Sequence, residues 1–192
     1  MPREEQRSYS VLIVSGSKTF DAAVRNSLPR KQFPVLDFCG SASAARRSVF
    51  EKDYDILAVC CPLADEFGHE LALDAAMHTA ASVLLAVPAE VYADVLEHVT
   101  DQGVLVLERS AVRERIGTAV RFLAAVQNRR HQMEREIRRA SEKLEDVRII
   151  SRAKIMLMTK QCMTEDEAHR YIGRLAMNQG VTRRRIAEQL LE

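Results

Sequence analysis

Short, almost wholly apolar runs rich in β-branched residues recur through the first half of the chain. They are Val11-Leu12-Ile13-Val14, Val35-Leu36-Asp37-Phe38, Ile56-Leu57-Ala58-Val59, Val83-Leu84-Leu85-Ala86-Val87 and Val104-Leu105-Val106-Leu107. Such runs, with few polar interruptions, are the pattern of strands buried on both faces. Between them, Lys18 to Leu28, Ser43 to Lys52, Glu66 to His78 and Glu90 to Thr100 space their apolar residues at helical intervals. Strands and helices alternating in this way predict an α/β domain over residues 9–118. Its expected architecture is flavodoxin-like, a doubly wound parallel five-stranded sheet.

The pattern changes beyond Thr118. From Leu123, positions Val126, Arg130, Met133, Ile137, Ala140, Leu144, Val147 and Ser151 follow alternating steps of three and four, with charged residues between them. Neither Gly nor Pro falls between Thr118 and Gln161. The spacing predicts a long coiled-coil linker helix over residues 119–150, with a seam of about four heptads and Arg130 as its charged intruder. So narrow a stripe stays wet on a lone helix, which points to a homodimer; folding back onto the sheet domain is the alternative.

Residues 151–192 then predict a small three-helix all-α module. Ile150, Ala153 and Leu157 face inward with Met158 beside them, and Lys154 sits on the flank. Thr164 and Glu167 have the spacing of a capping box. Ala168, Tyr171, Ile172, Leu175 and Ala176 give the second helix an apolar face. Gly180 ends it, and Thr182 caps a last helix carrying Ile186, Ala187, Leu190 and Leu191.

Charge is split along the chain. Met1 to Glu108 holds nine Lys/Arg against 16 Asp/Glu, while the remainder holds 19 against 11. An acidic half joined to a basic half suits a regulatory domain attached to one that seeks polyanions, although basic helices can also be merely solvated. The four cysteines, Cys39, Cys60, Cys61 and Cys162, lack metal-ligand spacing and read as reduced thiols in a cytoplasmic protein. The N-terminus is polar, unlike a signal peptide, and no apolar run approaches the roughly 20 residues a membrane span requires. No nucleophile elbow, phosphate loop or metal-ligand motif is present, so neither an enzyme, a cofactor nor a metal is expected.

Three clusters carry a family resemblance: Ala153-Lys154-Ile155-Met156-Leu157-Met158, Thr164-Glu165-Asp166-Glu167-Ala168, and Ile186-Ala187-Glu188, with Ala176-Met177 between the last two. In this order the chain resembles the ANTAR family, the RNA-binding output module of certain bacterial antitermination regulators. The resemblance implies a dimer that holds paired hairpins in nascent leader mRNA and prevents the terminator from forming. The expected RNA-binding residues are Lys154, Lys160, His169, Arg170, Arg174, Arg183, Arg184 and Arg185. Arg183 to Arg185 stand where a helix begins, an unfavourable place for cations unless an anion neutralises them; a solvated turn is the plainer reading. Tyr171 is read as core before stacking platform. His169 stands equally for an RNA contact and a surface histidine. Gly173 occupies a position that is commonly basic in the family.

The first domain resembles the receiver domain of two-component response regulators in layout over about Ser10 to Ala119, but not in its chemistry. Ser15 and Gly16 stand where that family carries acidic Mg²⁺ ligands, and Cys60 falls at the phosphoacceptor position. Ala86 or Val87 takes the hydroxyl position, and Arg109, with Ser110 beyond it, the lysine position. The resemblance implies a pseudo-receiver that is not phosphorylated, leaving contact with a regulatory protein or ligand as its role. Cys60-Cys61 reads first as a pair of core thiols and second as a redox pair.

Two rivals remain at this stage. A DNA-binding response regulator is suggested by Gly180-Val181-Thr182 through Ile186-Ala187-Glu188, which resembles the opening of a helix-turn-helix, yet only four residues follow Glu188 for a reading helix. The other rival is a coiled-coil interaction protein that binds no nucleic acid.

Overall fold

The computed structural model describes residues 7–192. Met1–Gln6, part of the polar N-terminus considered above, lie outside the described residues. The five apolar runs form strands β1 (Ser10–Ser15), β2 (Val35–Cys39), β3 (Ile56–Cys60), β4 (Ser82–Val87) and β5 (Val104–Glu108). All pairings are parallel and the order is β2-β1-β3-β4-β5, the doubly wound arrangement expected from the sequence.

Alternation along each strand builds two cores. Val11, Ile13, Ile56, Ala58, Leu84 and Ala86 face one side, while Leu12, Val14, Leu57, Val59, Val83 and Leu85 face the other. The first side is covered by α1 (Lys18–Ser27), through Phe20 and Val24, and by the start of α5 (Val112–Gln161). The second is covered by α2 (Ala42–Glu51), α3 (His69–His78) and α4 (Tyr92–Val99), through residues such as Ala45, Leu71 and Val99.

The 50-residue α5 is the long helix foreseen in the sequence, but its early part serves the sheet. Ile116, Val120, Leu123 and Ala124 are buried in the first core, so Leu123 does not begin an open seam. Gln127 is buried and donates to the carbonyls of Asp55 (2.8 Å) and Ala80 (2.6 Å). Arg130 donates to the Ala80 carbonyl at 3.0 Å. The apparent intruder in the heptad pattern is therefore a tether that seats the helix on the sheet domain. Beyond it Met133, Ile137, Leu144 and Val147 are each more than half exposed, an apolar row left uncovered among the described residues.

The compact units are residues 7–131 of the described chain and Gln132–Glu192. In the second, the end of α5 packs with α6 (Glu165–Gln179) and α7 (Arg183–Leu191) around Ala153, Leu157, Ala168, Ile172, Ala176, Ile186 and Ala187. Met156 lies against this core, whereas Met158, expected beside it, is exposed. The α5–α6 turn passes through Cys162 at φ 54°. Thr164 and Glu167 then form the anticipated capping box, Gly180 closes α6 at φ 64°, and Thr182 caps α7. Ile172 is 1% exposed at the centre of this small core. Ile172→Ala is expected to destabilise the module by about 2–5 kcal/mol, measured as a lowered unfolding midpoint.

Candidate nucleic-acid interface

The helical module presents its cations in two distinct electrostatic settings. Some are already neutralised. Lys154, on the flank of the buried stripe, reaches Glu165 at 2.6 Å, and its ammonium holds that carboxyl below its ordinary range. Arg184 binds Glu188 at 2.8 Å and Asp146 at 2.9 Å. Those carboxylates, Glu188 first, raise the pKa of the guanidinium still further. Arg184 thus links the start of α7 to α5 within the module and is a structural element as well as a cation.

The others stand more open. Arg170 and Arg174 are one turn apart on α6, exposed, and share a face. Among the described residues Arg170 bonds backward, from Nε to the Asp166 carbonyl at 3.3 Å, and its charge acts on the Glu167 carboxylate. Arg174 lies over the Tyr171 ring at 5.8 Å. Tyr171 is half-buried against the core, so its ring is shared between packing and this cation, in line with its expected core role. Arg170, Tyr171 and Arg174 line a cavity of about 660 Å³ with Gln161, Cys162, Met163 and Glu167.

Arg183 occupies the space beside Gly173: a Cβ built there would meet its guanidinium at 3.6 to 3.9 Å. The glycine that breaks the family pattern on α6 thus lies beside a cation supplied from α7, with a Cβ still at ordinary contact distance. Arg185 is exposed and only loosely paired with Glu188, at 3.7 Å. Lys160 and His169 are exposed on α5 and α6. Arg152, passed over in the sequence, is also exposed on α5. Its signal was merely that of one more basic residue in a charged helix.

At the carboxyl edge of the sheet, the Cys60 thiol, expected at the phosphoacceptor position, is buried. Burial raises its pKa and raises that of Cys61 to about 12, so both stay protonated. The Ser15 hydroxyl is already committed, donating to the Ser17 carbonyl and accepting from the Ser17 amide. Asp65 and Glu66, which follow β3, are already engaged. Asp65 accepts from the Ala42 and Ser43 amides at the start of α2, which lowers its pKa to about 2, and Glu66 pairs with Arg46. Mg²⁺ prefers hard carboxylate oxygens; a neutral buried thiol, a committed hydroxyl and Gly16 do not fit it.

Comparison with known proteins agrees with both halves. The ANTAR domain family model matches residues 138–191. Over 60 residues the chain is 43% identical to the transcriptional regulatory protein PdtaR of Mycobacterium tuberculosis strains CDC 1551 / Oshkosh and ATCC 25618 / H37Rv. That alignment covers 31% of this chain and 29% of the relative, so the match spans less than a third of the length of these regulators. The sheet domain is similar in fold to the signal receiver domain of an HD domain-containing protein from Pseudomonas fluorescens Pf-5. The TM-score is 0.58 at 13% identity, covering 69% of this chain and 97% of that one. The receiver domain of RcsB from Escherichia coli gives 0.50 at 15% identity, covering 64% and 95%.

Proposed function

We propose that this chain, an ANTAR-domain regulator with a receiver-like N-terminal domain, is an RNA-binding transcription antiterminator. Acting as a dimer, it binds two hairpin loops in a nascent leader mRNA and so keeps the competing terminator stem from forming. One observation carries this reading: within the region that matches the ANTAR model, Arg170, Arg174 and Arg183 present guanidinium groups that form no salt bridge among the described residues.

Guanidinium groups supply salt-dependent phosphate affinity, and exposed loop bases are read by stacking and edge contacts. Arg170, Arg174, Arg183 and Arg185 are the principal RNA contacts in this account. Lys160 and His169 stand at its margin, while Lys154 and Arg184 contribute by shaping the module and would join only by exchanging a carboxylate for a phosphate. The apolar row Met133, Ile137, Leu144 and Val147 supplies the homodimer seam. A coiled coil between the two copies places two modules on one RNA, and linkage raises the effective concentration at the second hairpin without any new contact. Catalysis has no part in this scheme.

The discriminating experiment titrates the full chain with a two-hairpin leader RNA, scrambled RNA and duplex DNA at one fixed salt concentration. Preference for the hairpins is expected. Preference for duplex DNA would indicate a DNA-binding response regulator, and indifference to all three would indicate an interaction protein working through its long helix.

The receiver-like domain acts as a pseudo-receiver, regulated by contact with a protein or ligand and not by phosphorylation. Incubation with acetyl phosphate and Mg²⁺ should leave it unlabelled in intact-mass measurements. An added phosphoryl group on an aspartate of this domain would contradict the assignment.

A further inference from the structure

Deepening the dimeric part of that reading, on which it rests, we infer that the seam between two copies runs on through Ile155 and Met158. These lie inside the ANTAR-matching region, so the paired modules grip each other directly. Six large apolar residues of α5 beyond His131 stand exposed: Met133, Ile137, Leu144, Val147, Ile155 and Met158. At about 3.6 residues per turn they fall within one arc of about 80°, with the small residues Ala140 and Ser151 among them. The buried core of the module draws Ala153 and Leu157 from the other side of the same helix and does not include Ile155 or Met158. The exposure of Met158, unexpected next to that core, has its explanation here.

The pattern selects a second copy of the chain. A narrow row repeating at steps of three and four is the surface that a matching helix covers. Met133 to Val147 alone spans only about two heptads, whereas Met133 to Met158 spans nearly four, the length that a coiled coil requires. Lys154 takes the last core position of the heptad pattern, but Glu165 neutralises it at 2.6 Å, and Ile155 beside it carries the apolar surface across. A parallel copy sets each of the six against its own counterpart. A reversed copy overlapping the whole row would pair Met133 with Met158, but also Ile137 with Lys154 and Ile155 with Glu136, which favours the parallel arrangement. The two modules then stand side by side at one end of the pair, and their arginines meet RNA at a fixed separation.

The test needs no RNA. In the full chain carrying Cys162→Ser, diamide should join the copies of a Ser151→Cys variant as a disulfide dimer, because identical positions meet across a parallel seam. Glu142→Cys, exposed on the opposite face of α5, should stay unjoined in the same background. Separately, Ile155→Ser/Met158→Ser should raise the dimer dissociation constant in sedimentation by about tenfold or more, since both copies lose apolar cover. Its helical content should stay that of the parent, because neither residue belongs to the module's core. A parent chain that sediments as a monomer, cross-linking at 142 as ready as at 151, or a dimer indifferent to Ile155→Ser/Met158→Ser overturns the inference. Affinity for an isolated hairpin should be the same in Ile155→Ser/Met158→Ser and the parent. A chain that pairs in this way yet ignores hairpin RNA would therefore keep the seam and lose the RNA reading.

Discussion

Replacing Arg170, Arg174 and Arg183 together by Ala should weaken binding of a two-hairpin leader RNA by about 100-fold or more. Each removed guanidinium takes away charge-assisted hydrogen bonds worth about 1.5–3 kcal/mol apiece, so even partial engagement of the three reaches that loss. The salt dependence should flatten with it: three fewer phosphate contacts lower the slope of log affinity against log salt by about 2 per protomer. Arg184→Ala provides the contrast. Its guanidinium is occupied by Glu188 and Asp146, so its removal should change RNA affinity by less than about threefold. It should instead lower the melting temperature of the module. Fluorescence anisotropy across a salt series, paired with thermal unfolding, separates the two outcomes. A large binding loss confined to Arg184→Ala would reverse the assignment.

The second large effect concerns the stalk. Ile137 is 66% exposed and Leu144 54% exposed on α5, one heptad apart. Neither belongs to any of the three buried cores, so Ile137→Glu/Leu144→Glu should leave both compact units folded. Placed opposite their own copies in a paired helix, four carboxylates would repel within a seam that has lost its apolar contacts. Sedimentation should then report a monomer. Affinity for the two-hairpin RNA should fall by about 100-fold or more, to the level of one hairpin, because the linked second binding event disappears. Affinity for an isolated hairpin should stay unchanged. A dimer that persists through both substitutions would place the association elsewhere.

The strands were legible because burial on both faces leaves unbroken runs such as Val11 to Val14 and Val83 to Val87, which few other structures need. The caps of the small module were equally plain: Thr164 with Glu167, and Gly180, are local devices whose partners lie within a few residues. The role change along α5 was hidden. A helix packed on a sheet and a helix packed on its copy repeat apolar residues at nearly the same interval, so Leu123 and Ile137 look alike in sequence. The long-range contacts of Gln127, Arg130 and His131 with the sheet domain mark where the first role ends.

The candidate interface was legible as a set of cations and illegible as an arrangement. Arg183, Arg184 and Arg185 are consecutive, yet the second is tied to Asp146, 38 residues away. Arg183 lies beside Gly173, a pairing that no local rule announces. At the sheet edge, the absence of a carboxylate directly after β1 and at the end of β3 was readable directly, but the convergence of Arg109 and Arg113 on a cavity required the fold.

The most direct examination of the central claim is the stoichiometry of the complex, determined by light scattering on the full chain mixed with a leader RNA carrying two tandem hairpins. The account predicts two protein chains on each RNA, an assembly that falls apart into weak single occupancy when either hairpin is deleted. One chain per RNA, bound as tightly to one hairpin as to two, would contradict it.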